Sequence, residues 1–216
     1  GTPSHRTGVL SGEGWLREVC AYVLDHGVAG VPATGLVEAA HPSFNNATSP
    51  THPQRKLGSF QAFVGDARGV GDVFRPPFDV AQVQAIALLD LRLLNMDRHG
   101  GNILLQSRYI MPASAQLAPG GRPRLFGTRP TLVQRLVPID HGLALPSDLG
   151  VSRFDWAWSD WPQVAAPLVP ALRDFVAAYD TAALERDIEL LRACFGPALR
   201  PPCITTLRIT HAFIPA

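Results

Sequence analysis

Two short segments hold the residues that could do chemistry. The first is Asn95-Met96-Asp97-Arg98-His99-Gly100-Gly101-Asn102, with an Asp and an Asn five positions apart. The second is Ile139-Asp140-His141-Gly142, an Asp between a short apolar stretch and a glycine. Together they offer an acceptor for a hydroxyl proton and two hard oxygen ligands, the set that phosphoryl transfer from a magnesium-bound nucleotide needs. Asp97 is the candidate for orienting or deprotonating the attacking hydroxyl. His99 is a rival base, because a neutral imidazole accepts a proton near pH 7, and the spacing does not separate the two. Arg98 joins the same catalytic group, in support of the loop or paired with a carboxylate rather than on phosphate. Gly100 and Gly101 are read as turning the backbone tightly towards Asn102. Asn102 and Asp140 are the metal candidates, one a neutral amide oxygen and the other a charged oxygen. His141 is assigned no chemistry.

The Asp-Arg-His order, with the Asp-to-Asn interval of protein kinases, resembles the phosphatidylinositol 3-/4-kinase family. Ile86-Ala87-Leu88-Leu89-Asp90-Leu91-Arg92-Leu93-Leu94-Asn95 looks like the helix entering that family's catalytic loop. Leu136-Val137-Pro138-Ile139-Asp140-His141-Gly142 looks like its metal-binding segment. Asp160-Trp161-Pro162-Gln163 and Leu199-Arg200-Pro201-Pro202-Cys203 are similar to later landmarks. The pattern resembles the plant and algal type II-like, or gamma, phosphatidylinositol 4-kinases in particular, from about residue 12 to the C-terminus with inserts.

The resemblance implies an α+β, protein-kinase-like fold, mainly the helical C-terminal lobe with part of the N-terminal lobe. It implies ATP with Mg²⁺, or Mn²⁺ in its place, and transfer to the 4-hydroxyl of phosphatidylinositol at a membrane surface. A protein Ser/Thr acceptor on the same fold is the second reading, and an inactive binding module is the third. The resemblance also implies that Glu18 sits on the helix that pairs with the phosphate-binding lysine. It implies that the strand with Leu36 and Val37 leads to the hinge where adenine stacks, and that Ile139 lines the nucleotide site.

Composition narrows the partners. A formal net charge of +1 gives no general drive towards nucleic acid. Cys20, Cys194 and Cys203 have no metal-ligand spacing, which fits buried thiols in a reducing compartment. No apolar run approaches the roughly 18–20 residues that span a bilayer. The expectation is a cytoplasmic protein, peripheral at membranes.

The elements that must position these residues are legible as periodic stretches. Residues 13–25 read as a helix stopped by His26-Gly27, and 35–39 as a short strand. Residues 40–54 read as a loop, 59–64 as a short helix and 65–78 as another loop. Asp79 with Gln82 opens a helix over 80–95 that buries Val83, Ile86, Ala87, Leu91 and Leu94. Residues 103–105 and 133–139 form a hairpin that presents Asp140 at its exit. The stretch 107–132 between them reads as a disordered insert; its arginines, with Arg135 beyond it, could instead form a basic arm for anionic headgroups. The aromatic segment 143–163, with Phe154, Trp156, Trp158 and Trp161, would be the activation segment, its tryptophans either core or membrane-facing. Helices follow over 167–179, from Thr181 as cap to 195, and from Pro202.

The pattern departs from a complete kinase in one respect. The chain has a single lysine, Lys56, and no Gly-rich phosphate loop precedes Glu13. Residues 1–12 therefore read as a flexible end, 13–40 as a remnant of the small lobe and hinge strand, and 55–216 as the large lobe. These residues alone are expected to bind Mg-ATP poorly.

Overall fold

The computed structural model describes residues 8–44, 55–72, 78–110, 130–150 and 153–214. Helix α1 (Gly14–Asp25) forms where Leu16, Val19, Cys20 and Leu24 recur at helical intervals, and all four are buried. It stops where expected. His26 and Gly27 take left-handed backbone angles, φ 51° and 76°. The Asp25 carboxylate then accepts from the amides of Ala29, Gly30 and Val31 at 2.7, 2.9 and 3.0 Å. That turn feeds strand β1 (Thr34–Ala39).

β1 pairs antiparallel with β2 (Lys56–Gln61), with Val37 opposite Gly58. This corrects the helix expected over 59–64. The residues of that stretch share no buried helical face, since Phe60 is 73% and Phe63 95% exposed, and its backbone bonds go to a strand remote in sequence. The loop expected over 65–78 holds a short strand, β3 (Ala67–Gly69), and residues 73–77 lie outside the described set.

Helix α2 (Val80–Leu93) starts as its capping pattern predicts, the Asp79 side chain accepting from the Gln82 amide at 3.0 Å. It ends early because Leu94 adopts φ 48°. Val83, Ile86 and Ala87 are buried as expected; Leu91 is 41% exposed, and the buried face runs instead through Leu89, Asp90 and Leu93. Strand β4 (Asp97–Arg98) follows, and then the hairpin of β5 (Ile103–Ile110) and β6 (Thr131–Pro138). The hairpin is longer than expected. Its register runs from Ile103 opposite Pro138 to Ile110 opposite Thr131, so both ends of the expected insert are paired strand. Residues 111–129, with Arg122, Arg124 and Arg129, lie outside the described set. β3 adds to the free side of β5.

Strand β7 (Asp155–Trp156) pairs parallel with β4 and ties the aromatic segment to the loop after α2. Helices α3 (Pro170–Ala178), α4 (Thr181–Phe195) and α5 (Pro201–Ala212) complete the chain. The cap of α4 is Asp180, which accepts from the Ala183 amide at 2.8 Å, rather than Thr181. Leu184, Ile188, Leu191 and Phe195 are buried as their spacing predicts. Residues 8–12, expected within a flexible end, are anchored: the Ser147 amide and hydroxyl donate to the Gly8 carbonyl at 2.7 and 2.9 Å. Cys20 and Cys203 are buried and Cys194 is exposed, all three as free thiols. Burial, with Cys203 nearby, pushes the Cys20 thiol up to about 12. The whole is the expected α+β arrangement, with helices α1, α2, α4 and α5 sharing one apolar core.

Candidate active site

The site is assembled around Asp90, a carboxylate placed where α2's buried face would otherwise carry an apolar residue. Asp90 and Arg98 are both fully buried and form an ion pair at 3.0 Å. Asp90 also accepts from the Asn95 amide group at 2.9 Å and from the Trp158 indole at 2.8 Å. A buried ion pair is tolerated where further hydrogen bonds support it; both Asp90 oxygens have them, while one Nη of Arg98 has none among the described residues. Arg98 spends its remaining reach on the backbone. One Nη donates to the carbonyl of Asn102 at 2.7 Å and to the carbonyl of Ile139. The Ile139 amide in turn donates to the Asn102 carbonyl at 3.0 Å. One guanidinium thus joins the two chemistry-bearing segments.

Arg98 was expected among the catalytic residues. Its complete burial makes it a positioning residue instead, since nothing outside the protein can reach its head.

Asn102 is mostly buried at the end of a 3-10 turn (Gly100–Asn102). Its Nδ2 donates to the Asp97 carbonyl at 2.9 Å, which commits the nitrogen and leaves Oδ1 as the atom able to meet a cation. Asp140 leaves β6 with φ 54°, a left-handed conformation rare for a residue other than glycine or asparagine, and its side chain is exposed. The donor set is one carboxylate and one amide oxygen, suited to Mg²⁺, which keeps waters and phosphate oxygens among its ligands. Among the described residues no group of three or more His, Cys, Asp or Glu side chains could hold a metal by itself.

Asp97 is half-buried at the start of β4, its amide donating to Asn95 Oδ1 at 3.3 Å. His99 is exposed, and its Nδ1 accepts from the Gly101 amide at 3.0 Å. In the neutral ring that bond takes the Nδ1 lone pair and leaves the N–H on Nε2. The glycines work by close approach rather than by a tight turn of special angle. A Cβ on Gly100 would lie 2.8 Å from the Gly71 Cα, and one on Gly101 would meet the His99 ring at 2.8 Å, while neither has positive φ.

Glu18, on α1, faces the metal segment. Its Oε1 accepts from the His141 amide at 2.6 Å, and its Oε2 lies 3.3 Å from His141 Nδ1. His141 is fully buried, and burial followed by the Arg98 charge pulls its imidazole below the ordinary value. A neutral ring with Nδ1–H towards Glu18 follows. Glu18 thus meets a histidine of the metal segment. The sequence's single lysine, Lys56, lines a cleft of about 540 Å³ with Val37, Phe44 and Phe60. None of the catalytic-loop or metal-segment residues lines that cleft. Leu36 is 46% exposed on the neighbouring position. Ile139 joins the site through its backbone.

The aromatic segment turns mostly inward. Trp158 is buried on Asp90, the Trp156 indole donates to the Asn95 carbonyl, and Trp156 and Trp158 stack with centroids 5.0 Å apart. Trp161 packs on Phe78 at 4.8 Å. Asp90, Trp158 and His141 are the site residues that sequence reasoning missed. Asp90 had a signal: it continues the buried series 83, 86, 87, and a carboxylate there requires a buried partner.

Comparison with known proteins agrees with this geometry. A family model described as phosphatidylinositol 3- and 4-kinase matches residues 2–200. Phosphatidylinositol 4-kinase gamma 4 of Arabidopsis thaliana is 36% identical, over 95% of this chain and 33% of that protein. The gamma 4 protein of Oryza sativa subsp. japonica is 35% identical, over 95% of this chain and 32% of its own length. The gamma 6 protein of Arabidopsis thaliana is 36% identical over 99% of this chain and 33% of its own. The chain spans about a third of the length of the curated relatives it matches. On these matches the chain belongs to the phosphatidylinositol 3- and 4-kinase family, and its α+β fold is a partial domain of the protein-kinase-like type.

Proposed function

We propose that this chain carries the phosphoryl-transfer site of an ATP-dependent lipid kinase that phosphorylates phosphatidylinositol at the 4-hydroxyl. The observation that carries the reading is the Arg98 staple, which holds Asn102 and Ile139, and therefore Asp140, in one fixed relation. Phosphoryl transfer is mostly positioning and charge stabilisation, so a preset pair of oxygen ligands beside an acceptor carboxylate is the main requirement. Asn102 Oδ1 and the Asp140 carboxylate would hold the cation. Bound Mg²⁺ would supply charge neutralisation of the ATP phosphates. Asp97 orients the inositol hydroxyl and receives its proton. His99 steadies the Gly-Gly turn through Gly101. Arg98 and Asp90 keep the loop from moving away.

The lipid and the 4-position draw on the names of the relatives, and ATP on the family. No helix among the described residues is long and apolar enough to cross a membrane. The protein acts at the cytoplasmic surface of a membrane, which it meets peripherally. The test is transfer of labelled γ-phosphate from Mg-ATP by the longest native product containing this chain. Phosphatidylinositol vesicles and a generic protein acceptor are offered together. Label in the 4-phosphate of the lipid supports the proposal. Label in protein alone favours the Ser/Thr acceptor, and label in neither favours an inactive binding module.

A further inference from the structure

We propose that Glu18 is a positioning residue for the metal-holding Asp140, acting through His141 by reach rather than by charge. The inference rests on the reading that Asp140 holds a divalent cation. Asp140 sits at φ 54°, a conformation that persists only when its neighbours over-determine it. On the upstream side, Ile139 is fixed by the Asn102 carbonyl and by Arg98. On the downstream side, the His141 amide donates to Glu18 at 2.6 Å, and the ring adds a second contact at 3.3 Å.

Glu18 can serve as an anchor because α1 is itself fixed. The adjacent Arg17 is fully buried, donates to the Ala144 carbonyl at 2.8 Å and pairs with Glu13 at 2.9 Å. At the other end of α1, Arg92 donates to the Leu24 carbonyl at 2.9 Å. Consecutive α1 residues thus grip positions 141 and 144, one turn of chain just past the metal ligand. Histidine at 141 gives the second Glu18 oxygen a donor that a phenylalanine ring could not. The arrangement couples α1 to the chain just past the metal ligand.

Three variants of the longest native product containing this chain separate reach from charge: Glu18→Ala, Glu18→Asp and Glu18→Gln. The readout is Mn²⁺ affinity by EPR titration with a non-hydrolysable ATP analogue present, with a thermal melt of each variant and Asp140→Asn as reference. Asp keeps the charge but is one methylene too short; Gln loses the charge but keeps an oxygen for the His141 amide. The expected result is a weakening of Mn²⁺ binding by about tenfold or more for Ala and Asp, the range of lost outer-shell partners, with Gln closest to wild type. The Asp and Gln variants carry the test if Ala unfolds. Binding that depends on Asp140 but is unchanged in Glu18→Asp overturns this inference alone, as does a Gln variant weaker than Asp. Mn²⁺ binding indifferent to Asp140→Asn overturns both the metal reading and this inference.

Discussion

The loop after α2 and the β1–β2 hairpin both contain short strands, yet they satisfy their side chains in opposite ways. Asn95 and Arg98 of the loop and Asp90 near the end of α2 are wholly buried, and each is bonded to another member of the set. In the hairpin, Leu36, Leu57 and Phe60 are 46, 52 and 73% exposed, and one edge of each strand lies outside the two-stranded sheet. A two-stranded sheet is marginal by itself, and this one leans on α1. The contrast shows where the rigidity of the site comes from. It comes from buried polar groups with no alternative partner, not from regular secondary structure.

The largest effect should follow from breaking the buried pair. Arg98→Met keeps the bulk of the stem but leaves Asp90 buried without its cation, and should cost about 3–5 kcal/mol in urea unfolding. A loss below about 1 kcal/mol, the scale of a surface pair, would remove the distinction between the two regions. A smaller effect is expected at the start of α1. There partial burial pushes the Glu13 carboxyl up, but bonds from Arg200 and Arg17 outweigh it and hold it below its ordinary value. A depressed acid stabilises the fold above the unfolded-state value of about 4.5, and that contribution is lost as pH falls through the lower folded value. Glu13→Gln should therefore flatten the acid side of a melting-temperature-against-pH curve and leave its shape near pH 7 unchanged. A curve with the same acid slope in both proteins would exclude Glu13 as a source of it. The smallest effect belongs to the hairpin. Phe60→Ser should change stability by no more than about 0.5 kcal/mol, as for an exposed surface position. A cost of several kcal/mol would mean that the hairpin face is covered in the native protein.

The same contrast explains what could be read from the sequence. Helices α1, α2 and α4 were legible because the buried residues of each repeat within a few positions, and Asp79 and His26-Gly27 mark their ends. The family was legible because Asp97, Asn102 and Asp140 lie in compact motifs. β2 was not, because its bonds go to β1, remote in sequence, and local apolar spacing around Phe60 imitates a helix. The brace was only half legible. Asp90 and Arg98 are eight residues apart, but Trp158 reaches Asp90 from 68 positions away and Glu18 reaches His141 from 123. Pairings of that range depend on the finished fold and leave no local period. Thr181 and Asp180 are both competent caps, and only the backbone position of each decides between them.

The central claim is that Asp140, exposed at a left-handed position and fixed by its neighbours, holds the metal for phosphoryl transfer. The most direct measurement compares Asp140→Asn with wild type in the longest native product, as label transferred from Mg-ATP to phosphatidylinositol vesicles, beside a thermal melt. Asparagine tolerates the left-handed backbone, so the fold should be unaffected. The account predicts a loss of transfer of roughly 10²–10³-fold, the scale of one preorganised charge contact, at an unchanged melting temperature. Transfer equal to wild type would contradict it.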